Sequence, residues 1–341
     1  MICSWPMKQL SPLRGFTNIF ILKLGLLLAL ASCGGNPDVT LGGAAGGDDT
    51  QGIQSGENFQ IGASWSAKPL TISSVQEENN FVIARLASNA VKVSTIFAKG
   101  TGFYLGRHNG NHIVATNAHV LKNIPSCSVS PVILQFSVFN AAFSCSKIIG
   151  IWRDIDFALI SLETNSGNEA FLDEINPLKM AFNKDIQRDA LVYSAGFGQY
   201  RNSNSQLTLK NDEDCRVYSP TNVFARLQDP TRLGSKKVAS FAIGCDISPG
   251  DSGSPIIERD TGDVLGIVWS TQMPKPITIR SQTYMQDLRR RDTDSVWKHL
   301  SYAVPASEIR AELLRWTEKV RRSRPTQKRR DTVLSLLGLL P

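Results

Sequence analysis

Ser252 stands in Gly250-Asp251-Ser252-Gly253, a glycine-flanked turn that runs into the apolar segment Pro255-Ile256-Ile257. A serine hydroxyl attacks a carbonyl only if a base removes its proton and nearby dipoles stabilise the oxyanion. A tight turn that aims backbone N–H groups at one point meets the second need. Two upstream segments offer the first. His119 ends the apolar, β-branched run Ile113-Val114-Ala115-Thr116-Asn117-Ala118, and Asp156 heads Phe157-Ala158-Leu159-Ile160. Asp154 competes with Asp156 but lacks the Ala-Leu pair two residues on. Taken singly, each residue has a plain structural reading: a packed histidine, a strand-start aspartate, a hairpin turn. Together, in the order His119, Asp156, Ser252, they offer a nucleophile, a general base and an orienting carboxylate.

These residues must be presented by short strands. Of the 341 residues 42% are hydrophobic and 20% charged, enough apolar surface for a substantial core. The β-rich runs are Phe81–Ala84, Val93–Phe97, Phe103–Leu105, His112–Thr116, Val132–Phe139, Phe157–Leu162, Leu191–Ala195, Ala239–Ile243, Ser254–Ile257 and Val264–Trp269. Gly, Asn and Pro punctuate them, which predicts an all-β barrel or sandwich. Near the end, Ala306–Val320 reads as an amphipathic helix with Ile309, Leu313, Leu314, Trp316 and Val320 as its apolar positions. A G-x-S-x-G elbow is excluded because Ser254 occupies the fifth position, and in that fold the serine precedes its partners.

The blocks Thr116-x-Ala118-His119-Val120, Asp156-x-Ala158-Leu159-Ile160 and Gly250-Asp251-Ser252-Gly253-Ser254-Pro255 resemble those of the chymotrypsin-fold (trypsin-like) serine peptidases, over roughly residues 80–312. The resemblance implies two six-stranded antiparallel β-barrels with a C-terminal α-helix, His119 and Asp156 coming from the first barrel and Ser252 from the second. It implies a serine endopeptidase with an oxyanion hole at the N–H groups of Gly250 and Ser252, and with neither metal nor organic cofactor. Asp246, six residues before Ser252, would lie at the base of the primary pocket and favour Arg or Lys. Ile247 and Val268 stand near positions where a glutamate-specific branch carries Thr and His. Trp269, Ser270 and Thr271 would pair with an extended peptide substrate. In animal members the aspartate matching Asp251 pairs with a newly cut N-terminus; no such junction is evident near residues 70–90. The alternative is a catalytically silent relative that binds peptides or envelope components.

The first 32 residues hold Lys8, Arg14 and Lys23, no acid, and an apolar run from Phe16 to Ala31. With Leu30-Ala31-Ser32-Cys33 they resemble a bacterial lipoprotein signal (1–32), with Cys33 the lipidated residue. This predicts a lipid-anchored protein of the cell envelope, at the outer membrane, facing the periplasm or at the cell surface. Residues 33–75, rich in Gly, Asp and Ser at their start, read as a flexible linker, and 76–320 as the protease domain, its halves joined near 165–190. Besides Cys3 and Cys33, four cysteines allow three pairings. The local pairs Cys127–Cys145 and Cys215–Cys245 are the expectation, each within one implied barrel. The four histidines (108, 112, 119, 299) show no metal-site spacing. The net charge of +7 is concentrated at the ends. Residues 289–331 alone carry 13 Lys/Arg against 6 Asp/Glu. Residues 321–341 therefore read as a basic disordered tail, with no specific nucleic-acid partner expected. Protein or peptide substrates are the expected partners.

Overall fold

The computed structural model describes residues 68–71, 74, 80–198, 206–227, 237–270, 300–320 and 327–340. The signal segment, Cys33, the linker as far as residue 67, Thr271 and residues 272–299 lie outside them.

Six strands close a barrel. They are β2 (Ala90–Thr95), β3 (Lys99–His108), β4 (Asn111–Thr116), β5 (Val132–Phe136), β6 (Ala141–Trp152) and β7 (Phe157–Leu162), joined in the order β2-β3-β4-β7-β6-β5. Alternation along each strand sends Val91 and Val93, Tyr104, Val114, Leu134 and Phe136, and Ala158 and Ile160 into one buried cluster. Asn109 and Gly110, both at positive φ (46° and 70°), make the tight turn between β3 and β4 that a right-handed hairpin twist requires.

The second half is a nine-stranded sheet. It contains β1 (Lys68–Pro69), β8 (Lys179–Met180), β9 (Val192–Gly196), β10 (Thr208–Lys210), β11 (Ala225–Leu227), β12 (Val238–Ile243), β13 (Pro255–Glu258), β14 (Asp263–Ser270) and β15 (Ser301–Pro305). Its path is β1-β10-β9-β13-β14-β15-β12-β11, with β8 parallel to β14. This corrects the expectation of two six-stranded barrels: one barrel is closed and the second sheet is open. The gap is crossed between β9 and β12 by the segment 214–218, through isolated bridges Leu191–Arg216 and Val217–Ile243. Cys215 and Val217 of that segment are buried in the core of the second sheet, and its pairing is confined to those two bridges.

Three further expectations are corrected. Phe81–Ala84 is not a strand but the start of helix α1 (Phe81–Asn89). Asn80 caps it, its side-chain oxygen accepting from Val82 N and Ile83 N, and Ile83, Leu86 and Ala87 bury a face at helical spacing. Lys68 and Pro69, inside the segment read as linker, pair with β10. Gln327–Leu336, inside the segment read as a disordered tail, is a helix. Its Val333 and Thr332 are buried, Asn111 Nδ2 donates to Thr332 Oγ1 (3.1 Å), and Arg330 Nε donates to the carbonyl of Thr317 (3.1 Å). Buried Val333, Leu336 packed against the same core, and these two hydrogen bonds thus seat a segment whose first half is charged.

Helix α2 (Ala118–Leu121) follows β4, α3 (Glu169–Glu174) follows β7, α4 (Ala306–Val320) follows β15, and Gln327–Leu336 is α5. The amphipathic reading of α4 holds: Ile309 and Leu313 are fully buried, and Trp316 meets Trp152 edge-on with ring centroids 5.4 Å apart. Cys127–Cys145 and Cys215–Cys245 are disulfide-bonded, the two local pairs. A second cluster, with Phe103, Leu105 and Ile113 of the barrel packed in it beside Tyr193, Ala195 and Phe197 of the sheet, fastens the halves together.

Candidate active site

His119 lies on α2, a single turn started at Asn117 and closed where Lys122 N donates to His119 O. Asp156 ends the turn between β6 and β7 in a left-handed conformation, φ 47°. Such backbone is uncommon for a non-glycine residue and persists where surroundings impose it. Here they do so at three atoms. Asp156 Oδ1 accepts from His119 N (2.8 Å), Oδ2 lies 2.5 Å from His119 Nδ1, and the Asp156 carbonyl accepts from Asn117 Nδ2 (2.9 Å). The carboxylate therefore holds both the backbone and the ring of one histidine. A proton on Nδ1 donates to Asp156 and leaves Nε2 as an acceptor.

Ser252 sits in the turn between β12 and β13. Gly250 (φ 104°) and Gly253 (φ 93°) occupy left-handed backbone. A Cβ on Gly253 would come 1.9 Å from the Thr101 carbonyl oxygen, and one on Gly250 2.5 Å from that of Phe197, so both glycines are required. Thr101 of β3 ties the turn to the barrel. Its N–H donates to Ser252 O (2.8 Å), and its hydroxyl donates to Gly250 O (2.8 Å) while accepting from Phe197 N (3.0 Å). Within the turn, Asp251 N, Gly253 N and Ser254 N are satisfied by Ser248 O, Val268 O and Asp251 O. Two donors on either side of Asp251, the N–H groups of Gly250 and Ser252, are thus left without an acceptor among the described residues.

The two halves of the site meet at Gly100. A Cβ there would lie 2.6 Å from Val120 Cγ2 and 3.1 Å from Ser252 O, so β3 is wedged between the helix carrying His119 and the turn carrying Ser252. No hydrogen bond joins His119 Nε2 to Ser252 Oγ among the described residues; catalytic hydrogen bonds commonly tighten only once substrate is bound.

Asp251 is wholly buried behind the serine. Its Oδ1 accepts from Lys210 Nζ (2.6 Å) and Gly198 N (3.0 Å), and its Oδ2 from Ser248 N (3.0 Å) and Ser248 Oγ (3.2 Å). Thr101, Asn117, Gly198 and Lys210 escaped the sequence reading. Their only signal was a cation, Lys210, closing the apolar Leu207-Thr208-Leu209 run.

Asp246 adjoins the Cys215–Cys245 bridge, and its charge acts on Asp212. Burial, Asp214 and Asp246 together push Asp212 up to about 8. Trp269 is buried and its Nε1 donates to Ser240 Oγ (2.8 Å), so its side chain belongs to the core. Its backbone has another place. The β13 ladder meets β14 only as far as Ile267, and past Val268 the chain of β13 turns away toward Ser252. Ser270 pairs with Tyr302 on the β15 side. No three His, Cys, Asp or Glu side chains gather as a metal site among the described residues, and no helix there is long and apolar enough to cross a membrane.

Residues 100–267 match the family described as the trypsin-like peptidase domain. This chain carries a trypsin-like peptidase domain. No curated protein matches it. Among solved structures, it is similar to the Rv3671c protease of M. tuberculosis in its active form, at 20% identity, covering 73% of this chain and 87% of that one, with a TM-score of 0.46. The inactive form of Rv3671c aligns over 74% of this chain and 98% of that one, also at 20% identity and a TM-score of 0.46. Deg5 aligns at 17% identity over 69% of this chain and 91% of that one, with a TM-score of 0.43.

Proposed function

We propose that this trypsin-like domain is a serine endopeptidase in which Ser252 is the nucleophile, His119 the general base and acid, and Asp156 the group that orients the imidazole. The observation that carries the reading is the pairing of a doubly held His119 with a turn whose Gly250 and Ser252 N–H groups are left without acceptors. As Ser252 Oγ bonds to the peptide carbonyl carbon, its proton passes to His119 Nε2 and the carbonyl electrons move onto oxygen. The N–H groups of Gly250 and Ser252 receive that oxyanion. His119 then gives the proton to the departing amine as the C–N bond breaks, leaving an acyl-serine. Water, deprotonated by the same Nε2, hydrolyses the ester and returns the hydroxyl to Ser252. Asp156 fixes the tautomer and stabilises the imidazolium formed in each half.

An extended substrate would lie against Trp269 and Ser270, adding a strand where β13 departs, with Thr271 next along the chain. The acid at Asp246 supports a preference for Arg or Lys before the cut. The Leu30-Ala31-Ser32-Cys33 pattern supports export and lipid attachment at Cys33, which would tether the domain to a membrane of the cell envelope. A fluorophosphonate probe tests the central claim. We expect one adduct on Ser252 by mass spectrometry, lost in Ser252→Ala and strongly slowed in His119→Ala. Oxidised wild-type protein that takes no label would overturn the peptidase reading.

A further inference from the structure

From residue 79 to residue 153 the chain carries seven Lys and Arg and no Asp or Glu. That stretch builds α1 and the barrel strands β2 to β6, so it adds only positive charge to the barrel surface. Four of its exposed apolar side chains gather at one end of the barrel. The turn between β2 and β3 carries Ile96 and Phe97, 67% and 54% exposed. Ile133, half exposed on the neighbouring β5, is the register partner of Ser94. Val129 (72% exposed) lies just before β5, whose first residue Val132 pairs with Thr95 at the end of β2. The turn is ordered: Thr95 Oγ1 accepts from Phe97 N (3.1 Å) and Ala98 N (2.9 Å). Cations flank it. Lys99 pairs with Ser94 from the β3 side, and Lys92 stands two residues earlier on the same strand as Ser94. Lys122 Nζ donates to the Phe97 carbonyl (2.7 Å), and Arg153 donates to the carbonyl of Lys122 (2.9 Å). Burial and then the neighbouring Lys99 hold the Lys92 ammonium below its ordinary value.

Contiguous exposed apolar surface with a polar rim marks an interaction site. We infer that this tip docks on a bilayer containing anionic lipid, with Ile96 and Phe97 entering the interface and Lys92, Lys99 and Lys122 meeting the phosphates. Charge complementarity and shape select the occupant. An anionic headgroup layer attracts cations that no acid of their own stretch offsets. The apolar residues stand on a hairpin turn, which protrudes, and a fluid interface takes up a protrusion without a shaped cavity to receive it. Three of the four are aliphatic and offer no ring for a base to stack on, which disfavours a nucleic acid. Phe97 lies three positions before Gly100, the residue wedged between Val120 and Ser252. A docked tip therefore sets the cleft beside the bilayer surface. Only that consequence rests on the peptidase reading; the docking itself does not.

The test uses the full-length protein with the photocrosslinker p-benzoylphenylalanine in place of Phe97 or, separately, of Asp260, an exposed residue in the turn between β13 and β14. Each protein is irradiated on phosphatidylcholine vesicles with and without phosphatidylglycerol, and adducts are read by mass spectrometry. We expect lipid adducts at position 97 on the phosphatidylglycerol vesicles, about tenfold above those at 260 and above those at 97 on pure phosphatidylcholine. The N-terminal segment is the same throughout, so a tether by itself does not produce these differences. K92Q/K99Q should lower the yield at 97 about thirtyfold, since each lysine near an anionic surface strengthens binding about fivefold. A yield at 97 that matches that at 260, that ignores phosphatidylglycerol, or that stays within about twofold in K92Q/K99Q overturns the docking. Adducts to a second copy of the chain in place of lipid also overturn it and assign the tip to self-association. None of these readouts uses peptidase activity. Failure of the fluorophosphonate label therefore leaves the docking standing, and failure of the docking leaves the peptidase reading standing.

Discussion

Asp156→Asn separates what the carboxylate does for catalysis from what it does for folding. An amide at 156 still accepts from His119 N through one oxygen, replacing the 2.8 Å bond. The other position, 2.5 Å from Nδ1 in the wild type, becomes an NH2 group. That group can only donate, so Nδ1 must accept and the ring proton moves to Nε2. With Nε2 protonated, His119 cannot take the proton of Ser252. The same exchange in a trypsin triad leaves the geometry intact and lowers kcat about 10⁴-fold, because the tautomer is wrong. Two equivalent bonds to one histidine are present here, so we expect a loss of similar order, about 5 kcal/mol of barrier. Folding should be little affected, since the shape is kept and Asn117 Nδ2 still donates to the backbone carbonyl of 156. The assay is kcat on a chromogenic peptide amide, normalised to folded protein, alongside a thermal melt. Asp154→Asn is the internal comparison, and its kcat should stay within about twofold. A kcat for Asp156→Asn within tenfold of wild type, with an unchanged melt, would refute the tautomer argument. A larger effect at Asp154 would move the orienting role there.

Gly253→Ala places a methyl 1.9 Å from the Thr101 carbonyl at a φ of 93°, so it should lower stability by more than about 2 kcal/mol and remove activity; an unchanged melting temperature would refute the requirement for glycine. Stability should also depend on Asp212. Its folded pKa, about 8, lies above its unfolded value, so the folded state holds a proton that the unfolded state gives up near pH 4. Asp212 thus contributes stability fully below about pH 4 and loses it as pH rises toward 8. Melting temperatures of wild type should decline across that window relative to Asp212→Asn, and parallel curves for the two proteins would contradict the burial argument.

Much of this was legible along the chain. Residue types around His119, Asp156 and Ser252, with their order, pointed to the chemistry, because a nucleophile turn and a base need particular neighbours within a few residues. Helix α4 was legible for a similar reason, since its apolar positions repeat at helical spacing over fifteen residues. The local cysteine pairs formed, yet sequence left three pairings open, and only the approach of Cys215 to Cys245 across the second sheet decided that bridge. Phe81–Ala84 misled because four apolar residues fit a strand or a buried helix equally well, and the Asn80 cap settled it. Residues 327–336 misled because charge suggested solvation, whereas burial of Val333 against the barrel required a partner that sequence does not display.

The sequence by itself offered the residues of the proposed triad: a serine in a glycine turn, a histidine, an aspartate. Tertiary structure alone decided how they are held. Thr101 grips the turn from another barrel strand, and Lys210 reaches Asp251 across 41 positions of chain in the interior. Reactivity is a property of a side chain and its close neighbours, so it is written locally. Orientation comes from close-packed contacts between strands distant in sequence, and buried charges find their partners only once those strands pair.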